Sequence, residues 1–154
     1  MIIANNKMFQ LLYETKLRKG IVLSNKLKSI IDGSLIKYNN CIFLDYFYSA
    51  NPHIKRANFA DDVGYECFIN GFHIDDYSKN NYLYQTLLFT NKFIEMWKNQ
   101  LDINLLEIII SQTEHGYHFT AHSRCNKETW IDINEIENFE EAVLIIRPAN
   151  NAEK

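Results

Sequence analysis

A chain of 154 residues, 47% hydrophobic and 23% charged, has the composition of one globular domain, 1–154, with a single sizeable core rather than that of a disordered or fibrous chain. The net charge of −3 conceals an asymmetry: residues 1–60 carry nine Lys/Arg against three acids, and residues 61–154 carry seven against sixteen, an acidic remainder that argues against direct nucleic-acid binding. MIIANNKMFQ lacks a secretory pattern, no run nears the roughly 18 apolar residues of a membrane span, and three cysteines (Cys41, Cys67, Cys125) without close pairing suit a reducing compartment. A cytoplasmic protein without membrane contact is expected.

In chain order, MFQLLYETKLRK reads as a helix with Met8, Leu11, Leu12 and Thr15 along one side and Gly20 as its stop. A second helix aligns Leu23, Leu27, Ile30 and Ile31, with Gly33 as its C-terminal cap. CIFLDYF (41–47) is nearly continuously apolar and predicts a central strand. Residues 49–63 contain Asn51-Pro52 and lose periodicity, which predicts a long loop. YECFINGFHI (65–74) predicts a second strand, bending near Gly71, after which Asp75 or Asp76 caps a helix.

Over residues 80–100, Leu83, Leu87, Phe89, Phe93, Ile94, Met96 and Trp97 cover half a helical circumference, so this helix needs a sheet or several helices against it. LLEIIIS (105–111), YHFTAHS (117–123) and EAVLIIR (141–147) predict strands, with TWIDI (129–133) a candidate fourth. Their short connections favour antiparallel neighbours. The fold expected is α+β: an antiparallel β-sheet packed against helices, with a helical N-terminal segment.

Three of the five histidines crowd into HGYHFTAH (115–122). Tyr117, Phe119 and Ala121 alternate with His118, Thr120 and His122, which predicts a half-buried strand whose imidazoles face away from the core. On a strand, His118 and His122 stand about 13 Å apart at roughly 3.3 Å per residue, too far to share a zinc ion at Zn–N distances of about 2.0 Å. No metal and no cofactor are expected. The pair is weighed as acid and base of a small hydrolase or metal-free ribonuclease, against polar residues on an exposed or partner-facing strand, and the second reading is preferred. His73 is expected to be a hydrogen-bonded structural residue. Cys125 lies between Arg124 and Lys127, which favours a thiolate, but RCNKE reads as a hairpin turn without a fixed base. No GxGxxG, P-loop, GxSxG or CxxC pattern occurs. Lys16, Arg18, Lys19, Lys26 and Lys28 read as a solvated helix surface.

Two stretches, 61–78 and 128–146, carry no Lys or Arg. Their acids are Asp61, Asp62, Glu66, Asp75 and Asp76 in the first and Glu128, Asp132, Glu135, Glu137, Glu140 and Glu141 in the second, and all but Glu66 and Glu128 are candidate partner-binding residues able to attract a basic protein.

ECFINGFHIDDY (66–77), the amphipathic helix ending at Trp97, and then LEIIIS, HFTAHSR, TWID and EAVLII follow in an order that resembles small α+β immunity proteins encoded beside bacterial contact-dependent growth-inhibition and related polymorphic toxins. The resemblance spans residues 65–147 and lies in order and texture, so it transfers no single residue. It implies tight binding to a cognate toxin domain, often a nuclease, with its active site or substrate surface blocked. A small domain rich in aromatics and bearing acidic stretches independently suits a binder of a basic protein. The oligomeric state stays open, and a structural or regulatory subunit is the third reading.

Overall fold

The alternation over 105–123 builds the centre of the molecule. In the computed structural model, which describes residues 1–15, 20–125 and 128–150, β5 and β6 (Leu106–Gln112 and Tyr117–Ser123) pair antiparallel with Ile108 opposite Ala121 and Ile110 opposite Phe119. β7 (Val143–Ile146) lies on the other side of β5, β1 (Ile2–Ala4) lies outside β7, and β4 (Phe72–His73) borders β6. The order is β1-β7-β5-β6-β4, every pairing antiparallel. A separate hairpin joins β2 (Leu35–Tyr38) to β3 (Cys41–Leu44) at Asn39, whose φ of +54° suits an asparagine turn.

One sheet face meets the main core. Helix α1 (Asn6–Glu14) is capped by the Asn5 side chain and α2 (Asn25–Asp32) by that of Ser24. In α5 (Tyr82–Gln100), Phe89, Phe93 and Trp97 are fully buried, and the rings of Phe89 and Phe93 stand edge-on to Phe119 at 4.9 and 5.2 Å. The broad apolar arc is therefore core, and the Trp97 indole N–H is satisfied by Asp102 O at 3.0 Å. Ile109, Val143 and Ile145 on the other face are covered by Ile131, Ile133, Ile136 and Phe139, a smaller second core.

Several expected elements differ. CIFLDYF is strand only over Cys41–Leu44, in the small hairpin rather than at the centre of the sheet, and Asp45 opens α3 (Asp45–Ala50). YECFINGFHI belongs mostly to a helix, α4 (Asp62–Asn70), which Asp61 caps by accepting from Gly64 N at 2.7 Å. Seven of its nine residues are buried, so apolar residues fall on two opposite sides of the helix, Val63 with Cys67 and Tyr65 with Ile69, and imitate a period of two. Asp75 and Asp76 lie in a 3₁₀ turn, Ile74–Asp76, and the residue preceding α5 is Asn81, with φ +52°. TWIDI forms no strand. Asp132 instead caps a 3₁₀ turn, Ile133–Asn138, that closes the second face. Gly33 is the C-cap of α2 as expected, in a right-handed conformation, and the left-handed φ of +67° falls on Ser34 after it. Lys16, Arg18, Lys19 and Lys127 lie outside the described residues.

Candidate functional site

The register of β5 and β6 decides what the histidines can do. His118, Thr120 and His122 do lie on the face opposite Phe119 and Ala121, but that face is itself covered, and His122 is 0% exposed. This corrects the expectation that both imidazoles face outward. His122 stands opposite Glu107, with Nε2 2.9 Å from Glu107 Oε1 and Nδ1 3.0 Å from Ser123 O, so both ring nitrogens face acceptors. From the other side Arg147 Nε donates to Glu107 Oε2 at 2.5 Å. Burial alone would raise the Glu107 pKa, yet hydrogen bonds from His122 and Arg147, with their charges, outweigh it and hold the carboxyl below its ordinary value. The result is a closed row of charge beneath the second core.

A second buried carboxyl lies on α4. Glu66 and Asn70, four residues apart, share one helix face. Glu66 accepts from Ile42 N at 2.6 Å and from Ser123 N at 2.8 Å, and Asn70 accepts from Leu44 N and donates to Ile42 O and Ala121 O at 2.8, 2.9 and 2.9 Å. These two side chains occupy backbone groups of β3 and β6 that a neighbouring strand would otherwise pair, and so stitch the hairpin to the sheet. Burial pushes the Glu66 pKa up to about 7, against the lowering effect of the Ile42 and Ser123 hydrogen bonds.

His118 has a different neighbour from the expected one. It stands opposite His73 on β4, ring centroids 5.2 Å apart and edge to face. Burial, and then the neighbouring His73, lower its pKa. The approach is possible because residue 71 is glycine: a Cβ there would meet Cys67 O at 2.7 Å and His118 Nε2 at 3.0 Å. The pair floors a groove of about 510 Å³ between α4 and Trp130. Trp130 and Phe68, on its walls, are 54% and 56% exposed, unusual for such large apolar side chains.

The candidate acids divide into occupied and free. Asp61 and Asp132 cap turns, Asp62 pairs with Arg56 at 2.5 Å, Glu137 accepts from Asn6 N at 3.1 Å, and Glu135 accepts from the Asn138 side-chain amide. Asp75 is half-buried against Gly116, its Oδ1 unpaired. Asp76, Glu140 and Glu141 are exposed, and Glu140 and Glu141 border one shallow depression with Glu114 beside the β5–β6 turn. Asp75 reaches the same turn through Gly116, whereas Asp76 borders a separate depression with Lys26 and Lys79. One acidic edge is thus assembled from both stretches, by Asp75 with Glu140 and Glu141, and Asp61, Asp62, Asp76, Asp132 and Glu135 are not shown to be part of it.

Sequence reasoning counted Glu66 only among the acids of the first stretch and passed over Asn70, Glu107 and Arg147; the only advance signal is the i, i+4 spacing of Glu66 and Asn70 once α4 is known to be helical. Cys125 is exposed, its Sγ 3.5 Å from Ser123 Oγ. Among the described residues no group of three His, Cys, Asp or Glu is placed to hold a metal ion, and no helix is long and apolar enough to cross a membrane.

No solved structure matches the chain. A relative from Pasteurella multocida (strain Pm70), described as uncharacterized protein PM0498, is 33% identical over 138 residues, covering 82% of this chain and 85% of the relative. The profile of the corresponding family matches residues 3–153. The chain belongs to the uncharacterized protein PM0498 family.

Proposed function

We propose that this protein is an immunity-type inhibitor that binds a cognate, basic bacterial toxin domain, above all a nuclease, in the cytoplasm and blocks it. The observation that carries the reading is a set of unpaired surface acids: Glu140 and Glu141 at the β5–β6 turn and Asp76 in its 3₁₀ turn are exposed, and among the described residues their carboxylates take part in no hydrogen bond or ion pair. Carboxylates left unneutralised at a surface attract a cationic protein and can occupy the positions its phosphate substrate would take. A nuclease must carry such cations to approach nucleic acid. Exposed Trp130 and Phe68 add the aromatic component common at the centre of tight interfaces. The rival reading, a hydrolase or ribonuclease working through His118 and His122, loses one of its two bases, because His122 is enclosed between Glu107 and Ser123.

The test is co-expression with the product of the adjacent gene. A stable 1:1 complex and protected growth support the reading. Loss of protection when Asp76, Glu140 and Glu141 are together changed to Lys, in a variant that still folds, assigns it to these unpaired acids. Asp75 is left unchanged there because it packs against Gly116. Failure of the unaltered protein to bind or protect overturns the immunity reading.

A further inference from the structure

Asp61, Gly64 and Trp130 meet at one point of the groove. A Cβ on Gly64 would lie 3.1 Å from Asp61 Oδ1, 3.6 Å from Trp130 Cζ3 and 3.9 Å from Phe59 Cβ. The bare glycine backbone therefore lets the indole rest against the first turn of α4, beside the capping carboxylate. Phe59 and Phe68, ring centroids 5.3 Å apart, continue the aromatic wall. Both Lys/Arg-free stretches contribute to the groove, the first through α4 and β4, the second through Trp130. Among the described residues no lysine or arginine lines it. The Thr120 hydroxyl on its floor is already engaged, donating to Cys67 O at 2.7 Å. What remains is an open aromatic cleft with a carboxylate at its edge, whose neighbouring cation, Arg56, is engaged by Asp62.

We propose that this groove receives an arginine side chain of a basic protein partner, its guanidinium stacked on Trp130 and paired with Asp61. The proposal rests on the reading of the protein as a binder of a basic protein and names the contact at its centre. Asp61 binds Gly64 N through Oδ1, and a carboxylate has acceptor positions to spare for an incoming guanidinium. The guanidinium is planar and weakly hydrated, so it stacks on an indole face and forks onto a carboxylate at once. An ammonium group, a strongly hydrated point charge, does each less well. A purely apolar side chain would cover Asp61 without neutralising it, which is unfavourable for a charge leaving water.

The protein supplies its own probe. Trp97 is fully buried and Trp130 more than half exposed, so a ligand-induced change in indole emission reports on Trp130. The whole chain is titrated with a hexa-arginine peptide, with hexalysine and hexaglutamine peptides in parallel, by fluorescence and by calorimetry. The expected result is saturable binding of hexa-arginine, several-fold weaker binding of hexalysine and none of hexaglutamine. Trp130→Ala and Phe68→Ala should each weaken hexa-arginine by about tenfold, and Trp130→Phe should retain most of the affinity in the calorimeter. Because both side chains are exposed, circular dichroism should show all three variants folded. Equal affinity for arginine and lysine peptides, or arginine binding indifferent to Trp130→Ala and Phe68→Ala, overturns the proposal and assigns the peptide to the acidic edge. The same two variants are then tried against the adjacent gene's product. If the unaltered protein binds that product and both variants bind it equally well, the groove proposal falls and the immunity reading stands. If the unaltered protein does not bind it while the peptide pattern holds, the immunity reading falls and the arginine groove stands.

Discussion

Glu66 is the residue on which burial and hydrogen bonding oppose each other most directly. An ordinary glutamate ionises near 4.5, whereas burial places Glu66 at about 7 in the folded protein. Between those values the native carboxyl holds a proton that the unfolded one has released, so stability falls as pH rises through this window. A difference of that size amounts to on the order of 3 kcal/mol, at about 1.4 kcal/mol per pH unit. Glu107 acts with the opposite sign: its lowered pKa contributes stability above the ordinary glutamate range, lost as pH falls through its folded value. The two effects therefore occupy different windows. Urea denaturation from pH 5 to 8 should find the wild type losing roughly 2.5 kcal/mol relative to Glu66→Gln. Parallel profiles would return Glu66 to an ordinary carboxyl. Glu107 also shows why HGYHFTAH misled: the strand and its period were legible, but the carboxylate that engages His122 comes from β5, and no local pattern reveals what covers a sheet's second face.

Elements were readable where the apolar residues follow one period. In β6 and α5 they mark a single face or arc, so the period identifies both the element and its main-core side, while β5, apolar on both faces, is legible as a strand from its β-branched run. That signal vanishes for β3, buried on all four residues, and for α4, buried on seven of nine. Helix and strand patterns then converge, and capping is the remaining local cue: Asp61 three residues before Gly64, which a reader looking for strands passes over. The polar residues of α4 gain meaning only from tertiary structure, since Glu66 and Asn70 serve backbone groups of two separate sheets. Asn70→Ala should consequently be severe for a single amide. It leaves Leu44 N, Ile42 O and Ala121 O without partners, and each buried group so orphaned costs about 1–3 kcal/mol. A loss of roughly 3 kcal/mol or more is expected in chemical denaturation. A loss below about 1 kcal/mol would mean that the hairpin stays attached to the sheet without this stitch.

At the scale of the whole molecule, the division of charge along the chain does not become a division in space. β1 pairs with β7, so the basic first third begins on the same sheet edge that carries the acidic C-terminal stretch. Lys7 donates to the carbonyls of Phe139 and Glu140, and Asn6 N donates to Glu137. Asp62 is likewise matched by Arg56. The acids left to act at long range include Glu140 and Glu141 at the β5–β6 turn and Asp76 in its 3₁₀ turn, and this makes a kinetic prediction possible. If they steer a basic partner, its association rate should fall as ionic strength rises, because the Debye length shrinks from about 30 Å at 0.01 M to about 8 Å at physiological salt. Lysine at positions 76, 140 and 141 together should slow association by about tenfold at low salt and flatten the salt dependence, with little change in dissociation. Glu137→Lys and Asp62→Lys provide the contrast. Each breaks a contact within the fold and should lower stability more than it lowers the association rate. Stopped-flow mixing with the adjacent gene's product at several salt concentrations measures all three. A triple variant that associates as fast as the wild type, or whose defect lies wholly in faster dissociation, would remove the steering role from these acids and move the contact towards the groove at Trp130.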